Sequence, residues 1–218
     1  MPAEAHAHVA HHFDDAEQQL DAATLGMWLF LANEVLFFGG MFLAYFVYRF
    51  KYPEAFAEGS RHLDVWLGCL NTGVLLCSSL TMALAVHAAQ TNASKQIVKF
   101  MLITIVLGAV FVGVKAYEYN HKFHEHLVPG QNFHVEDLSD PSISQGHVQL
   151  FFGLYFAMTG MHALHMLIGF GVLGTVAWLA HRNTFSAEYY TPVELSGLYW
   201  HFVDIVGVFL FPLLYLIG

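Results

Sequence analysis

Five ionisable side chains stand in apolar surroundings where ordinary solvation is absent. His162 and His165 are related as i and i+3 inside T-G-M-H-A-L-H-M-L-I-G, a spacing that predicts both imidazoles on one helical face. His201 and Asp204 repeat the spacing in Y-W-H-F-V-D. Glu34 lies about ten residues into the apolar run 25–48, and about 15 Å of helix rise carries its carboxyl near a bilayer midplane. An acidic side chain there costs about 2.5–3.5 kcal/mol on insertion scales, so Glu34 is expected to face protein, water or headgroups for a functional reason. The structural alternative is a protonated carboxyl hydrogen-bonded to a neighbouring helix. Together these residues predict three helices whose polar faces can converge. A histidine beside a carboxylate favours the imidazolium, and a wet, positive niche of this kind suits a lipid phosphate or a buried ion pair. His201 and Asp204 are expected to pair and so orient their own helix.

Three kinds of chemistry compete for these residues. Haem or copper ligation needs facing histidines or closely spaced thiolates, and no close cysteine pair exists. Autonomous proton translocation needs a chain of acids across the bilayer, whereas only Glu34 is deep in its span and Asp204, Lys99, Lys115 and Glu118 fall nearer predicted helix ends. Structural hydrogen bonding, with or without lipid, needs least. The residues alone therefore predict a bundle that binds a partner or a lipid.

The elements that must position these groups are membrane helices. Of 218 residues 56% are hydrophobic and only 11% charged, far below the roughly 25% usual in soluble domains. Apolar segments of spanning length fall at about 25–48, 65–88, 97–117, 150–180 and 197–217. Backbone groups in hydrocarbon must be satisfied within their own segment, so the expected fold is all-α, a polytopic bundle of five transmembrane helices. Residues 1–24 form a polar tail carrying His6, His8, His11 and His12, without the basic region and cleavage site of a signal peptide, so the first span is expected to remain as an anchor.

Between the spans, 49–64 reads as an ordinary loop, and the short 89–96 connection predicts antiparallel neighbours. The long polar loop 118–148 carries His121, His124, His126, His134, Glu125, Glu136, Asp137 and Asp140, broken by Pro129, Gly130 and Pro141; it reads as a solvated, partner-contacting segment rather than a metal site. Cys69 and Cys77 are too far apart along one helix to bridge and read as small core residues. Gly40 with Ala44, Gly68 with Thr72, Ala109 with Gly113, and Gly169, Gly171 and Gly174 are expected where helices approach closely. Lys99 and Lys115 are placed to snorkel from helix ends. A net charge of −9 argues against nucleic acid and against a polybasic lipid-surface patch. Basic residues are slightly fewer on the N-terminal side, which by itself places the N-terminus outside.

Four blocks go further: W-L-F-L-A-N-E-V-L-F-F-G-G around Glu34, V-K-A-Y-E-Y at 114–119, T-G-M-H-A-L-H-M-L-I-G at 159–169 and Y-W-H-F-V-D-I-V at 199–206. In this order they resemble subunit III of the haem-copper cytochrome c oxidases, in the shorter, five-helix bacterial form that lacks two N-terminal helices of the seven-helix members. The resemblance implies a chain without haem, copper or other cofactor of its own, those being expected in partner subunits, with bound phospholipid. It implies partners in oxidase subunits I and II and membrane phospholipids, a larger respiratory supercomplex being a further possibility. Oxygen reduction coupled to proton translocation would belong to the whole complex. The implied roles are stabilising subunit I, supporting its proton uptake and holding lipids in a cleft between helices. Glu34 takes the place of the family's carbodiimide-reactive glutamate; His162, His165, His201 and Asp204 match polar positions of its last two helices, and Glu118 the glutamate ending its third core helix. A bacterial inner membrane with N-terminus cytoplasmic and C-terminus periplasmic is implied, against the charge count. A subunit III of a quinol oxidase or nitric oxide reductase is the nearest alternative, and an ion transporter or haem-bearing membrane protein the alternative of another class.

Overall fold

In the computed structural model, which describes residues 13–217 apart from 136–137, 141 and 187–188, Asp15 opens the first helix by accepting a side-chain hydrogen bond from the Gln18 amide. This helix, α1 (Ala16–Lys51), therefore begins well before the apolar run, and the later part of the expected tail is helical. The cap and the following Ala-rich turns propagate helix into polar sequence, which hydropathy does not register. The tail histidines His6, His8, His11 and His12, and Glu136, Asp137 and Pro141 of the long loop, lie outside the described residues.

The segment expected as an ordinary loop holds a short amphipathic helix, α2 (Pro53–Arg61). Pro53 sits at its first position, where a missing N–H costs nothing, and Ala55, Phe56 and Gly59 are buried. Four long helices follow: α3 (Val65–Gln90), α4 (Ser94–His124), α5 (Gln145–His181) and α6 (Thr191–Tyr215). With α1 these are the five elements long and apolar enough to cross a membrane, and no regular strand occurs among the described residues. The α3–α4 turn closes on Asn92 in the left-handed region, with the Ala93 amide bonded to the Ala88 carbonyl at 2.9 Å, so the two helices are antiparallel neighbours as the short connection predicts. Asn183 and His126 end α5 and α4 in the same way. His126 thus serves as a helix terminator.

Helices α3 to α6 form the main bundle, around Leu75, Met82, Met101, Met166 and Trp200. Helix α1 stands against α5, α6 and α2 and buries one narrow stripe, Leu31, Phe38 and Tyr45, at heptad spacing. Its Tyr45 hydroxyl donates to the Leu213 carbonyl at 2.6 Å, satisfying an acceptor in the last turn of α6 where intrahelical donors run out.

The expectations for small residues divide. A Cβ at Gly68 would lie 2.9 Å from the Phe211 ring and one at Gly169 2.8 Å from Trp200, so these glycines let helices approach. Gly40, Gly113, Gly171 and Gly174 have open space instead and face outward. Cys69 and Cys77 are also exposed, correcting their assignment to the core. In lipid an outward apolar residue loses nothing, so apolarity alone does not select the inside of a membrane bundle.

Candidate functional site

Glu34 falls in the middle of α1, one turn from Leu31 and Phe38, on the stripe that meets α5. Its Oε2 lies 3.0 Å from Nε2 of His165, with side-chain exposures of 14% and 10%. His165 Nδ1 lies 2.7 Å from the Met161 carbonyl. A carbonyl only accepts, so Nδ1 carries a proton. The remaining contact then holds one shared proton, either on Oε2 with neutral imidazole or on Nε2 as an ion pair. Both arrangements are neutral overall, which is what a low-dielectric setting demands. Around the pair, Phe38 meets the imidazole edge-on with centroids 5.1 Å apart, and the Tyr199 hydroxyl donates to the His165 carbonyl at 2.9 Å.

The other three residues do not join this pair. His162 points away into the α3–α6 bundle, with its ring edge-on to Phe111 at 5.3 Å, its edge against Gly207 and neither nitrogen hydrogen-bonded. An i, i+3 step still rotates the helix by about 60° short of a turn, enough to give one imidazole to α1 and the next to the bundle. His201 is not paired with Asp204: its Nδ1 lies 2.8 Å from Ser79 Oγ on α3. Asp204 is 2% exposed, sits at the middle of α6 rather than near its end, and neither oxygen has a hydrogen-bond partner among the described residues. A single converging niche of positive charge is therefore replaced by separate polar contacts on different faces.

Glu118 anchors a second group. It is buried and accepts from the hydroxyls of Tyr155 (2.8 Å) and Tyr215 (2.5 Å) and from Lys115 Nζ (3.0 Å). α4 continues past it to His124, so Glu118 lies inside the helix and ties α4 to α5 and α6. Lys115 does not snorkel: its side chain is 12% exposed and its ammonium lies 4.9 Å from the centroid of the Tyr215 ring. Beside it, the Thr159 hydroxyl donates to the Tyr155 carbonyl at 2.6 Å and accepts from the Tyr119 hydroxyl.

Sequence reasoning missed Tyr155, Tyr215 and Asn71 as members of polar contacts. Asn71 carried a signal, being an amide inside an apolar span; the two tyrosines did not, since an aromatic in a membrane helix reads as bulk. It also missed Glu58 of α2, which is 3% exposed and accepts from the Ser139 amide at 3.2 Å, from the Ser139 hydroxyl and from Arg61 at 3.3 Å. Burial raises the Glu58 pKa, but the two Ser139 hydrogen bonds and the charges of Arg61 and His62 outweigh it and hold the carboxyl below the usual range. Of the residues expected in the long loop, His121 lies in the last turn of α4 and pairs with Glu125, the residue that caps it, at 3.2 Å, and no three His, Cys, Asp or Glu side chains among the described residues stand close enough to hold a metal ion.

Comparison with known proteins places this arrangement. The chain matches the family described as cytochrome c oxidase subunit III over residues 4–218. It is 31% identical over 205 residues to cytochrome c oxidase subunit 3 of Thermostichus vulcanus, covering 94% of this chain and 92% of that protein. It is 32% identical over 218 residues to the Synechocystis sp. protein of the same description, covering 99% and 81%. It is also 30% identical over 217 residues to quinol oxidase subunit 3 of Bacillus subtilis, covering 97% of each. With its four sequence blocks distributed over this five-span bundle, the chain belongs to the cytochrome c oxidase subunit III family, a subunit of membrane haem-copper oxidase complexes.

Proposed function

We propose that this chain is the non-redox subunit III of an aerobic cytochrome c oxidase, packing on subunit I beside subunit II, stabilising the catalytic subunit and supporting its proton uptake. The observation that carries this reading is the Glu34–His165 contact, a titratable pair at mid-helix on the partly exposed seam between α1 and the bundle. One proton is shared there at no net charge, and passing it to a neighbouring surface leaves the pair with one negative charge until another proton replaces it. Glu34 acts in support of proton supply and assembly and is not a step of oxygen reduction. Exposed Leu29, Leu36 and Leu43 on α1 offer apolar surface to lipid or to a partner subunit, and phospholipid binding between helix groups belongs to the same proposal. His162, His201, Asp204 and Glu118 act structurally by fixing the bundle. The orientation that goes with it is N-terminus cytoplasmic and C-terminus periplasmic in a bacterial inner membrane.

A quinol oxidase is the second reading, favoured by the full-length similarity to the Bacillus subtilis protein. Mild-detergent affinity purification of the chain, with an absorption spectrum and identification of the accompanying subunits, separates the two. Haem bands with a subunit carrying dinuclear copper ligands are expected. Haem without that copper subunit would favour the quinol branch, and a colourless solitary chain would overturn both.

A further inference from the structure

A cavity of about 20 Å³ lies inside the α3–α6 bundle, between Asn71 of α3, Lys115 of α4, His162 of α5 and Tyr215 of α6. Two of its lining side chains are 2% exposed and carry orphaned polar atoms: Asn71 Oδ1, and both ring nitrogens of His162. The Asn71 amide is not free to turn, because its Nδ2 donates to the Phe111 carbonyl at 3.4 Å and a reversed amide would set two acceptors against each other. Oδ1 is thereby left needing a donor. Neutral imidazole presents one donor and one acceptor nitrogen, so the group that completes this site must give a hydrogen bond to Asn71 and be able to give or take one at His162.

Size and charge narrow the occupant. The volume is that of about one water molecule. A cation is opposed by the Lys115 ammonium beside the cavity, and an anion by the acceptor oxygen of Asn71. Gly207 keeps the space open on the α6 side, since a Cβ there would come within 2.9 Å of the His162 ring and 2.5 Å of Leu75. We propose that this intramembrane cavity is a binding site for a single structural water, which donates to Asn71 Oδ1, bonds a ring nitrogen of His162 and so joins α3 to α5 at the edge of the Glu118 cluster.

The test is a map of the intact oxidase complex at a resolution that shows ordered water, for the unmodified protein and for Asn71→Leu. The proposal expects compact density within about 3.2 Å of both Asn71 and His162 in the first map and its loss in the second. No density, density elongated as a lipid chain, or density unchanged in Asn71→Leu overturns it. Thermal unfolding supplies a second readout: Asn71→Leu and His162→Leu each lower Tm by several degrees, and the double variant by no more than the larger single shift, because one water is lost once. Additive shifts contradict a shared ligand. Should a variant fail to assemble, the unmodified map decides alone.

Discussion

α1 and α6 both cross the membrane, yet α6 buries 50% of its apolar stretch within the bundle and α1 only 17%. The difference lies in how each treats its polar groups. α6 packs against α3, α5, α1 and α2 and reaches α4 through side chains, so it can turn His201 to Ser79, the Tyr215 hydroxyl to Glu118 and the Trp200 ring into the centre, where its Nε1 donates to Ser78 at 2.8 Å. α1 has protein on one narrow stripe only, and its membrane carboxyl must lie on that stripe or face hydrocarbon. Glu34 lies on it. A helix with little protein contact thus places its one intramembrane acid at the seam, while an enclosed helix distributes polar groups into the interior and ties itself in with them.

This contrast predicts that interior changes cost more than seam changes. Glu118→Ala is expected to be the most damaging, by about 3–5 kcal/mol, because it leaves the buried Lys115 ammonium without its counter-charge and the Tyr155 and Tyr215 hydroxyls without an acceptor. Thermal unfolding of the purified complex measures it, and a loss no larger than that of a seam variant would break the comparison. Gly207→Ala, placing a methyl against Leu75 and His162, is expected to cost about 1–3 kcal/mol by overpacking. At the seam, Tyr45→Phe removes one hydrogen bond to the Leu213 carbonyl and is expected to cost only about 0.5–1.5 kcal/mol.

Away from the membrane, Glu58 gives a pH-dependent contrast. Its carboxyl is held below the ordinary value of 4.5, so the stability it contributes is fully present above that pH and is lost as pH falls through the lower folded value. Proteolysis of the 125–144 connection is expected to quicken on acidification below about pH 4.5 in the unmodified protein and to lose that pH dependence in Glu58→Gln. Equal pH dependence in both would assign the docking of Ser139 to other groups.

The helical architecture was legible because a bilayer permits few alternatives and five apolar runs are long enough to cross it. Helix ends were less so: α1, α4 and α5 run into polar sequence where caps and left-handed residues such as His126, not hydropathy, decide termination. Glu34 was legible as a residue that needs a partner, but the identity of that partner was not. His165 and His162 look equivalent in sequence, and only the choice of which face of α5 meets α1 separates them. The His201 and Asp204 pairing failed for a related reason, since a serine on α3 reaches His201 in a contact that no local spacing encodes. Glu58 was invisible because a charged residue in a connection reads as solvated until a short helix buries it.

The central claim is that the Glu34–His165 pair supports the oxidase from the seam of α1 without taking part in oxygen reduction. Oxygen consumption by the fully assembled, subunit-complete oxidase carrying Glu34→Ala tests it most directly, with Glu34→Gln as the variant that keeps a hydrogen-bond donor toward His165 Nε2. The account predicts that both variants still reduce oxygen, with Glu34→Ala losing activity sooner during turnover and Glu34→Gln closer to the unmodified enzyme. Abolished oxygen reduction in an assembled Glu34→Ala complex would contradict it.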